Sequence, residues 1–329
     1  MNETEQILGS YFQLMNLNGA SHVYREAVRC GLLGALRSER QTAAQVAQAC
    51  SLLAGPTELL LDALLPLGVV RKDGESYALT HLAEMLLSGS YRNLGDEYWA
   101  HLPAFLQTGQ PVVKMDDVAK SEAFYQTRAA VLGWMLGPAA QCAARALAGT
   151  LPPRAAIVDI GAGSGIWSLT LAQLTADATV TAVDWPAVLE VAAETAENLG
   201  LSSRLTTIAG NYHQVDFPSE QFDLAILANV THLETSDGNR ALLAKVWQAL
   251  KPGGRVVIID VFPGQPKGEL NLALYKLGLA LRTEHGRVYS AQELGAILSA
   301  CRFGEPELVP LEVPPYVVGM LIAPNLPAG

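Results

Sequence analysis

Apolar positions change their period partway along the chain. Leu59, Leu60, Ala63, Leu64 and Leu67 recur at helical spacing and predict a helix that Gly68 ends. Thr42-Ala43-Ala44-Gln45 reads as a capping box opening the preceding helix, which carries Val46 and Ala47. Gly55-Pro56 is expected to break the segment between the two. Val69 to Lys72 and Ser76 to Leu79 are short β-prone runs around Asp73-Gly74, which marks a hairpin. Thr80 then caps a helix through Leu87. Helices followed by a two-stranded wing predict a winged-helix-like unit over residues 1–92.

From residue 155 the pattern is different. Ala156 to Ile160 is a continuous apolar strand, followed by a helix from Trp167 to Leu174, a strand from Val180 to Val183 and a helix from Ala187 to Asn198. Leu205–Ile208, Leu224–Leu227 and Arg255–Ile259 read as further strands, the last after a Lys251-Pro252-Gly253-Gly254 turn. Glu307–Val309 and Tyr316–Ile322 are expected to end the sheet as a hairpin-like pair. Strands alternating with helices predict an α/β fold with a parallel sheet over residues 151–329. Between the two units, residues 93–150 read as a helical connector closed by Leu151-Pro152-Pro153. Its aromatic residues, Trp134 among them, and Met135 are candidates for the wall of a substrate pocket.

Composition narrows the function. The 329 residues are 50% hydrophobic and 16% charged, enough for two cored domains and incompatible with global disorder. With 22 basic and 32 acidic residues the net charge is −10, which disfavours a nucleic-acid partner. The leucine-rich helix of the winged unit carries two acids and no Lys or Arg, so it suits packing against a second chain better than a DNA groove. A ligand-sensing winged-helix regulator is therefore a distant alternative. The four cysteines are scattered and suggest neither a disulfide framework nor a zinc site. The acidic, polar N-terminus does not resemble a signal peptide, and no apolar run reaches the ~18 residues of a membrane span. The expectation is a cytoplasmic protein with no membrane partner.

The strongest local signal is Asp159-Ile160-Gly161-Ala162-Gly163-Ser164-Gly165, between the first strand of the sheet and its helix. Glycines there let a cofactor approach the backbone. The spacing is GxGxG rather than GxGxxG, which disfavours a nicotinamide oxidoreductase. Asp184 ends the second strand, 25 residues beyond Asp159, where an acid accepts hydrogen bonds from ribose hydroxyls.

These residues, with Trp185-Pro186, Gly210-Asn211 and Leu250-Lys251-Pro252-Gly253-Gly254, resemble the successive motifs of class I S-adenosylmethionine-dependent methyltransferases. The winged unit points to the small-molecule O-methyltransferases of the plant caffeic-acid type and their bacterial natural-product relatives. The resemblance implies a Rossmann-like seven-stranded sheet, a homodimer, and S-adenosyl-L-methionine as cofactor with S-adenosyl-L-homocysteine as product. It also implies that Asp159, Gly161, Gly163, Gly165, Asp184, Trp185, Asn211, Tyr212 and Asn229 form the cofactor site. Asn211 stands where the family has an aspartate that accepts from the adenine amino group; as a plain turn residue it would have no such role.

His232 lies 20 residues before Pro252, the family's spacing from catalytic histidine to Pro-Gly-Gly turn. An imidazole can take a phenol or enol proton at neutral pH. The family's His-Asp-Trp appears as His232-Leu233-Glu234, its strand-end glutamate aligns with Asp260, and a second glutamate aligns with Val288. Carboxylate support for His232 is thus expected to be reduced, with Asp260 the remaining catalytic partner. His285, 53 residues past His232, is a candidate substrate contact. The alternative is an iron or zinc ion shared by His232 and His285, with Asp260, Glu234 or Glu284 as carboxylate. That arrangement resembles a minority of relatives, C-methyltransferases of 2-oxo acids, and the resemblance would imply carbon over oxygen methylation, with the metal chelating a keto or enol substrate.

Overall fold

The computed structural model describes residues 2–87, 94–112, 122, 125 and 129–326, and divides into two compact units, Met1–Glu97 and Tyr98–Gly329. The first comprises α1 (Glu3–Arg29), α2 (Leu32–Ala35), β1 (Gln41–Thr42), α3 (Ala43–Ala49), α4 (Ala54–Leu64), β2 (Val70–Asp73), β3 (Ser76–Leu79) and α5 (His81–Leu87). The capping box opens α3 as expected: Gln45 N–H donates to the Thr42 hydroxyl oxygen, and Gln45 Oε1 accepts from Thr42 N–H. β2 and β3 pair antiparallel, and β1 adds a third strand beside β3.

Two expectations for this unit fail. Gly55-Pro56 does not break the chain but lies in the first turn of α4, where the missing proline N–H has no intrahelical acceptor to lose. The leucines of α4 do not form one outward face either. Leu61 and Leu64 are buried with Leu32, Leu33 and Tyr77 in the unit's own core, whereas Leu59 is 73% exposed. Exposed apolar side chains gather instead on α1: Ile7, Leu8, Tyr11, Phe12, Leu14, Met15 and Leu17.

The second unit follows α6 (Asp96–Trp99), which spans the boundary, and begins with α7 (Leu102–Thr108) and α8 (Ala129–Ala148). The expected alternation follows: β4 (Ala156–Ile160), α9 (Ile166–Leu174), β5 (Thr179–Asp184), α10 (Pro186–Asn198), β6 (Leu205–Ala209), β7 (Phe222–Ala228), α11 (Ser236–Ala249) and β8 (Leu250–Val261). α12 (Glu269–Ala280), α13 (Ala291–Ala300), β9 (Glu307–Pro310) and β10 (Val318–Pro324) complete it. The seven strands run in the order β6-β5-β4-β7-β8-β10-β9, and β10 alone runs opposite to the other six.

Along β4 and β7 successive apolar residues enter opposite cores. Ile157, Leu224 and Ile226 face one, and Val158, Ile160, Ala225 and Leu227 the other, so the strands read as unbroken apolar runs. Lys251-Pro252-Gly253-Gly254 is not a separate turn: it lies inside β8, where the register with β7 shifts between Phe222 and Leu224. The chain order reverses at β4, which has β5 on one side and β7 on the other. Open α/β sheets bind ligands at the carboxyl ends of strands flanking such a switch point.

Candidate active site

The glycine loop leaves β4 at Ile160 and enters α9 at Ile166. Gly161 and Gly163 both have positive φ, +69° and +57°. They differ in what a side chain would meet. A Cβ on Gly161 would come within 2.6 Å of Val230 Cγ2, whereas one on Gly163 would meet nothing within 4 Å among the described residues. Gly161 thus serves close packing, and Gly163 borders space that no described residue fills. Gly165 caps α9.

Beneath the loop, Asp159 is fully buried; its Oδ2 accepts from the Ser168 hydroxyl at 2.5 Å, and its Oδ1 has no hydrogen-bond partner among the described residues. Burial pushes this carboxyl up to about 7 against the Ser168 hydrogen bond, with a smaller push from the Asp184 charge.

Asp184 ends β5 and ties the loop to the next helix. Its Oδ2 accepts from Gly163 N–H at 2.8 Å, and its Oδ1 from the N–H of Trp185, the residue that caps α10, at 2.7 Å. Burial raises the Asp184 carboxyl, and these two backbone donors oppose the rise. Gly210 N–H donates to the Asp184 carbonyl oxygen, which places the Asn211–Val215 loop beside it.

The Asn211 side-chain oxygen accepts from His213 N–H at 2.8 Å, so it is engaged in a local turn. The Tyr212 ring lies against Gly161, and its hydroxyl donates to Glu234 at 2.7 Å. Asn229, at φ +58° just past β7, donates its N–H to the Ile259 carbonyl oxygen.

Thr231–Leu233 form one 3-10 turn at the carboxyl end of β7 and carry His232, which is 5% exposed. Asp260, at the end of the neighbouring β8, is 3% exposed and reaches across. Its Oδ1 lies 2.7 Å from His232 Nδ1 and accepts from Val261 N–H; its Oδ2 accepts from the Thr231 hydroxyl at 2.6 Å and from His232 N–H at 3.2 Å. Burial works to raise this carboxyl. The His232 charge and the hydrogen bonds outweigh it and hold Asp260 below the usual carboxylate range. Asp260, the carboxylate that the sequence left to His232, is thus the one that meets it. Val288 packs against the apolar core and offers His232 no carboxylate, while Asp260 reaches it from the adjacent strand β8.

Tyr275 of α12 is a neighbour that the sequence gave no sign of. Its hydroxyl oxygen lies 3.2 Å from His232 Nε2 and 3.4 Å from Nδ1, with the rings nearly perpendicular at 85°. An oxygen almost equidistant from both ring nitrogens cannot lie on the outward lone-pair axis of either. It sits against the ring face or the Cε1 edge and does not itself cap the Nε2 axis. Burial pushes the Tyr275 phenol well above its usual range, reinforced by the Asp260 charge, so it stays protonated.

Among the proposed substrate contacts, Met135 is on α8 with 47% of its surface exposed, and the side chain of Trp134 lies outside the described residues. His285 is exposed, while the adjacent Gly286 packs under the His232 carbonyl and Arg287 N–H donates to that oxygen at 2.8 Å. Among the described residues no group of three or more His, Cys, Asp and Glu side chains could hold a metal ion, and the proposed His232–His285 pair forms no part of one.

Known proteins similar to this chain are methyltransferases. A methyltransferase-domain profile matches residues 157–254, and an O-methyltransferase dimerisation-domain profile matches residues 12–89. The chain is 26% identical over 281 residues to the 3-hydroxy-5-methyl-1-naphthoate 3-O-methyltransferase of Streptomyces sahachiroi, covering 81% of each protein. It is 29% identical over 297 residues to the acetylserotonin O-methyltransferase of Mus musculus molossinus, covering 81% of this chain and 76% of that one. A solved structure from Nostoc punctiforme PCC 73102, described as a candidate O-methyltransferase, superposes with a TM-score of 0.74 at 25% identity, over 96% of this chain and 98% of that one. Among the described residues no helix is long and apolar enough to cross a membrane.

Proposed function

We propose that this chain, which belongs to the class I S-adenosylmethionine-dependent methyltransferases of the small-molecule O-methyltransferase family, methylates a hydroxyl oxygen of a small aromatic or enolisable acceptor, with His232 as general base. The observation that carries this reading is the buried contact between Asp260 and His232 Nδ1 at 2.7 Å. It assigns the ring proton to Nδ1 and leaves the Nε2 lone pair to accept a proton.

The residues present fit the cofactor. Asp159 offers an unpaired buried oxygen, Gly163 borders space that no described residue fills, and each Asp184 oxygen retains a lone pair beyond its backbone donor. Asp159 and the glycine loop would hold the methionine end and Asp184 the ribose. Asn211 would face the adenine with the donors and acceptors its turn leaves spare. When bound, the sulfonium supplies an electrophilic methyl group and departs as a neutral thioether.

The protein's own part is positioning and proton removal. The acceptor hydroxyl hydrogen-bonds to Nε2, and its proton moves to that nitrogen as the oxygen becomes nucleophilic. Asp260 then faces an imidazolium, a charge its low-lying carboxylate stabilises. Tyr275 keeps the ring from tilting.

The first unit suits a homodimer, with α1 as the contact. Seven large apolar side chains between Ile7 and Leu17 are exposed on it, more than an isolated helix in water tolerates without a partner. A second copy of the chain is the partner we infer.

Incubation with methyl-labelled S-adenosylmethionine and a panel of phenols, catechols, hydroxynaphthoates and 2-oxo acids tests the reading. Label on oxygen of a phenol or enol supports it. Label on carbon, or no transfer to any hydroxylated acceptor, overturns it.

A further inference from the structure

Glu234 follows His232 by two residues, where the resembling family has a tryptophan. Its backbone and side chain join three elements. The carbonyl oxygen accepts from the Tyr289 hydroxyl at 2.8 Å. Oε1 accepts from the Tyr212 hydroxyl at 2.7 Å and lies 3.0 Å from His213 Nε2. Oε2 occupies the space left by the missing side chain of Gly238, where a Cβ would come within 2.5 Å, in the first turn of α11. That helix end favours a negative charge. Burial opposes the charged form, but hydrogen bonds from His213 and Tyr212 more than offset it and hold Glu234 below its usual value.

The other end of this contact is the loop that leaves β6 beside Asp184. Within it, the Asn211 side chain closes the turn onto His213 N–H, and Lys245 Nζ donates to the carbonyl oxygens of Tyr212, His213 and Val215. Lys245 fixes the backbone only. Neither it nor Asn211 fixes where the Tyr212 ring points. The ring lies against Gly161, and the Glu234 carboxylate is the acceptor of its hydroxyl.

We propose that Glu234 is a positioning residue for the cofactor cleft: its carboxylate holds Tyr212 and His213 in place, tying the Asn211–Val215 loop to the segment that carries His232. This rests on the assignment of that cleft to S-adenosylmethionine. The tie acts on the wall of the cleft and not on the transfer step, because the His232 ring is held separately by Asp260. It would let the residue two positions from the base set cofactor affinity without altering the base itself.

The test is calorimetric titration of the full-length protein with S-adenosylhomocysteine, together with steady-state kinetics. The variants are Glu234→Gln, Tyr212→Phe, their double mutant, and Asp184→Ala as the control for the cleft itself. Glu234→Gln keeps the shape of the side chain, and Tyr212→Phe keeps the ring. We expect each single change to weaken binding roughly 10- to 150-fold, the span of one hydrogen bond to a charged group. The double mutant should be no weaker than the worse single variant, since both cut the same contact. KM for the cofactor should rise with little change in kcat. Unchanged affinity in Glu234→Gln and Tyr212→Phe, with binding lost in Asp184→Ala, overturns the role of Glu234 and leaves the cleft assignment standing. Additive losses, or a fall in kcat at unchanged affinity, also overturn it. A wild-type protein that binds no S-adenosylhomocysteine overturns the cleft assignment and this proposal with it.

Discussion

The Asp260 carboxylate stands 2.7 Å from Nδ1 of His232, and each residue comes from the end of a different strand of the sheet. Asp260→Asn would present an amide to Nδ1 and favour the tautomer with its proton on Nε2, where it cannot act as a base. We expect kcat to fall by about 10²–10⁴, the range for loss of general-base catalysis, with affinity for S-adenosylhomocysteine retained. A variant with wild-type kcat would exclude the pair from the reaction.

Tyr275 gives a milder and separable effect. Tyr275→Phe keeps the perpendicular ring and removes only the hydroxyl near the two nitrogens. The expected loss is roughly tenfold in kcat, from a ring less firmly held, with no change in cofactor affinity. A loss as large as that of His232→Ala would instead make the phenol indispensable to proton transfer.

Asp159 makes stability pH-dependent. Its folded-state carboxyl lies at about 7, above the unfolded value of ~3.9. The folded chain therefore binds the proton more tightly, and stability falls as pH rises from ~4 to ~7, by on the order of 4 kcal/mol in total. Asp159→Asn should flatten this part of the curve and raise Tm at pH 8 in the absence of cofactor. Thermal unfolding across pH 5–8 measures it. Parallel wild-type and variant curves would show that Asp159 does not titrate in this window.

The two loop glycines should separate folding from binding. Gly161→Ala drives a methyl group into Val230 and should lower Tm. At Gly163 the Cβ of an introduced Val meets no described atom within 4 Å, so its main effect is expected on the ligand's space, beyond a backbone cost of about 1–2 kcal/mol for its positive φ. Loss of S-adenosylhomocysteine binding with a small Tm change is expected for the second. Equal losses of Tm in both variants would contradict the distinction.

Dimerisation is expected to depend on α1 and not on the leucines of α4. Leu14→Glu on the exposed face should yield a folded monomer in light scattering at micromolar concentration. The same change at Leu61 should unfold the first unit, because that side chain has no exposed surface. A dimer that survives Leu14→Glu would place the contact elsewhere.

Periodicity and turn chemistry in the sequence determined the wing around Asp73-Gly74, the capping box at Thr42 and the alternation from Ala156 to Ile259. These signals are local: a helix period, a strand period or a turn residue acts within a few positions. The glycine loop was legible for the same reason, whereas His232 was singled out only by the resemblance, through its distance from Pro252. Where side chains point across elements was not. The α4 leucines share one helical pattern, yet the packing of α2 and β3 decides that Leu61 is inside and Leu59 outside. The sequence paired Asp260 with His232 only by alignment, and showed neither the 2.7 Å contact nor Tyr275 beside it. Those contacts join residues 28 and 43 positions apart. Strand order and the docking of α12 fix them, because a side chain's partners are set by which elements pack together and not by its own neighbours in the chain.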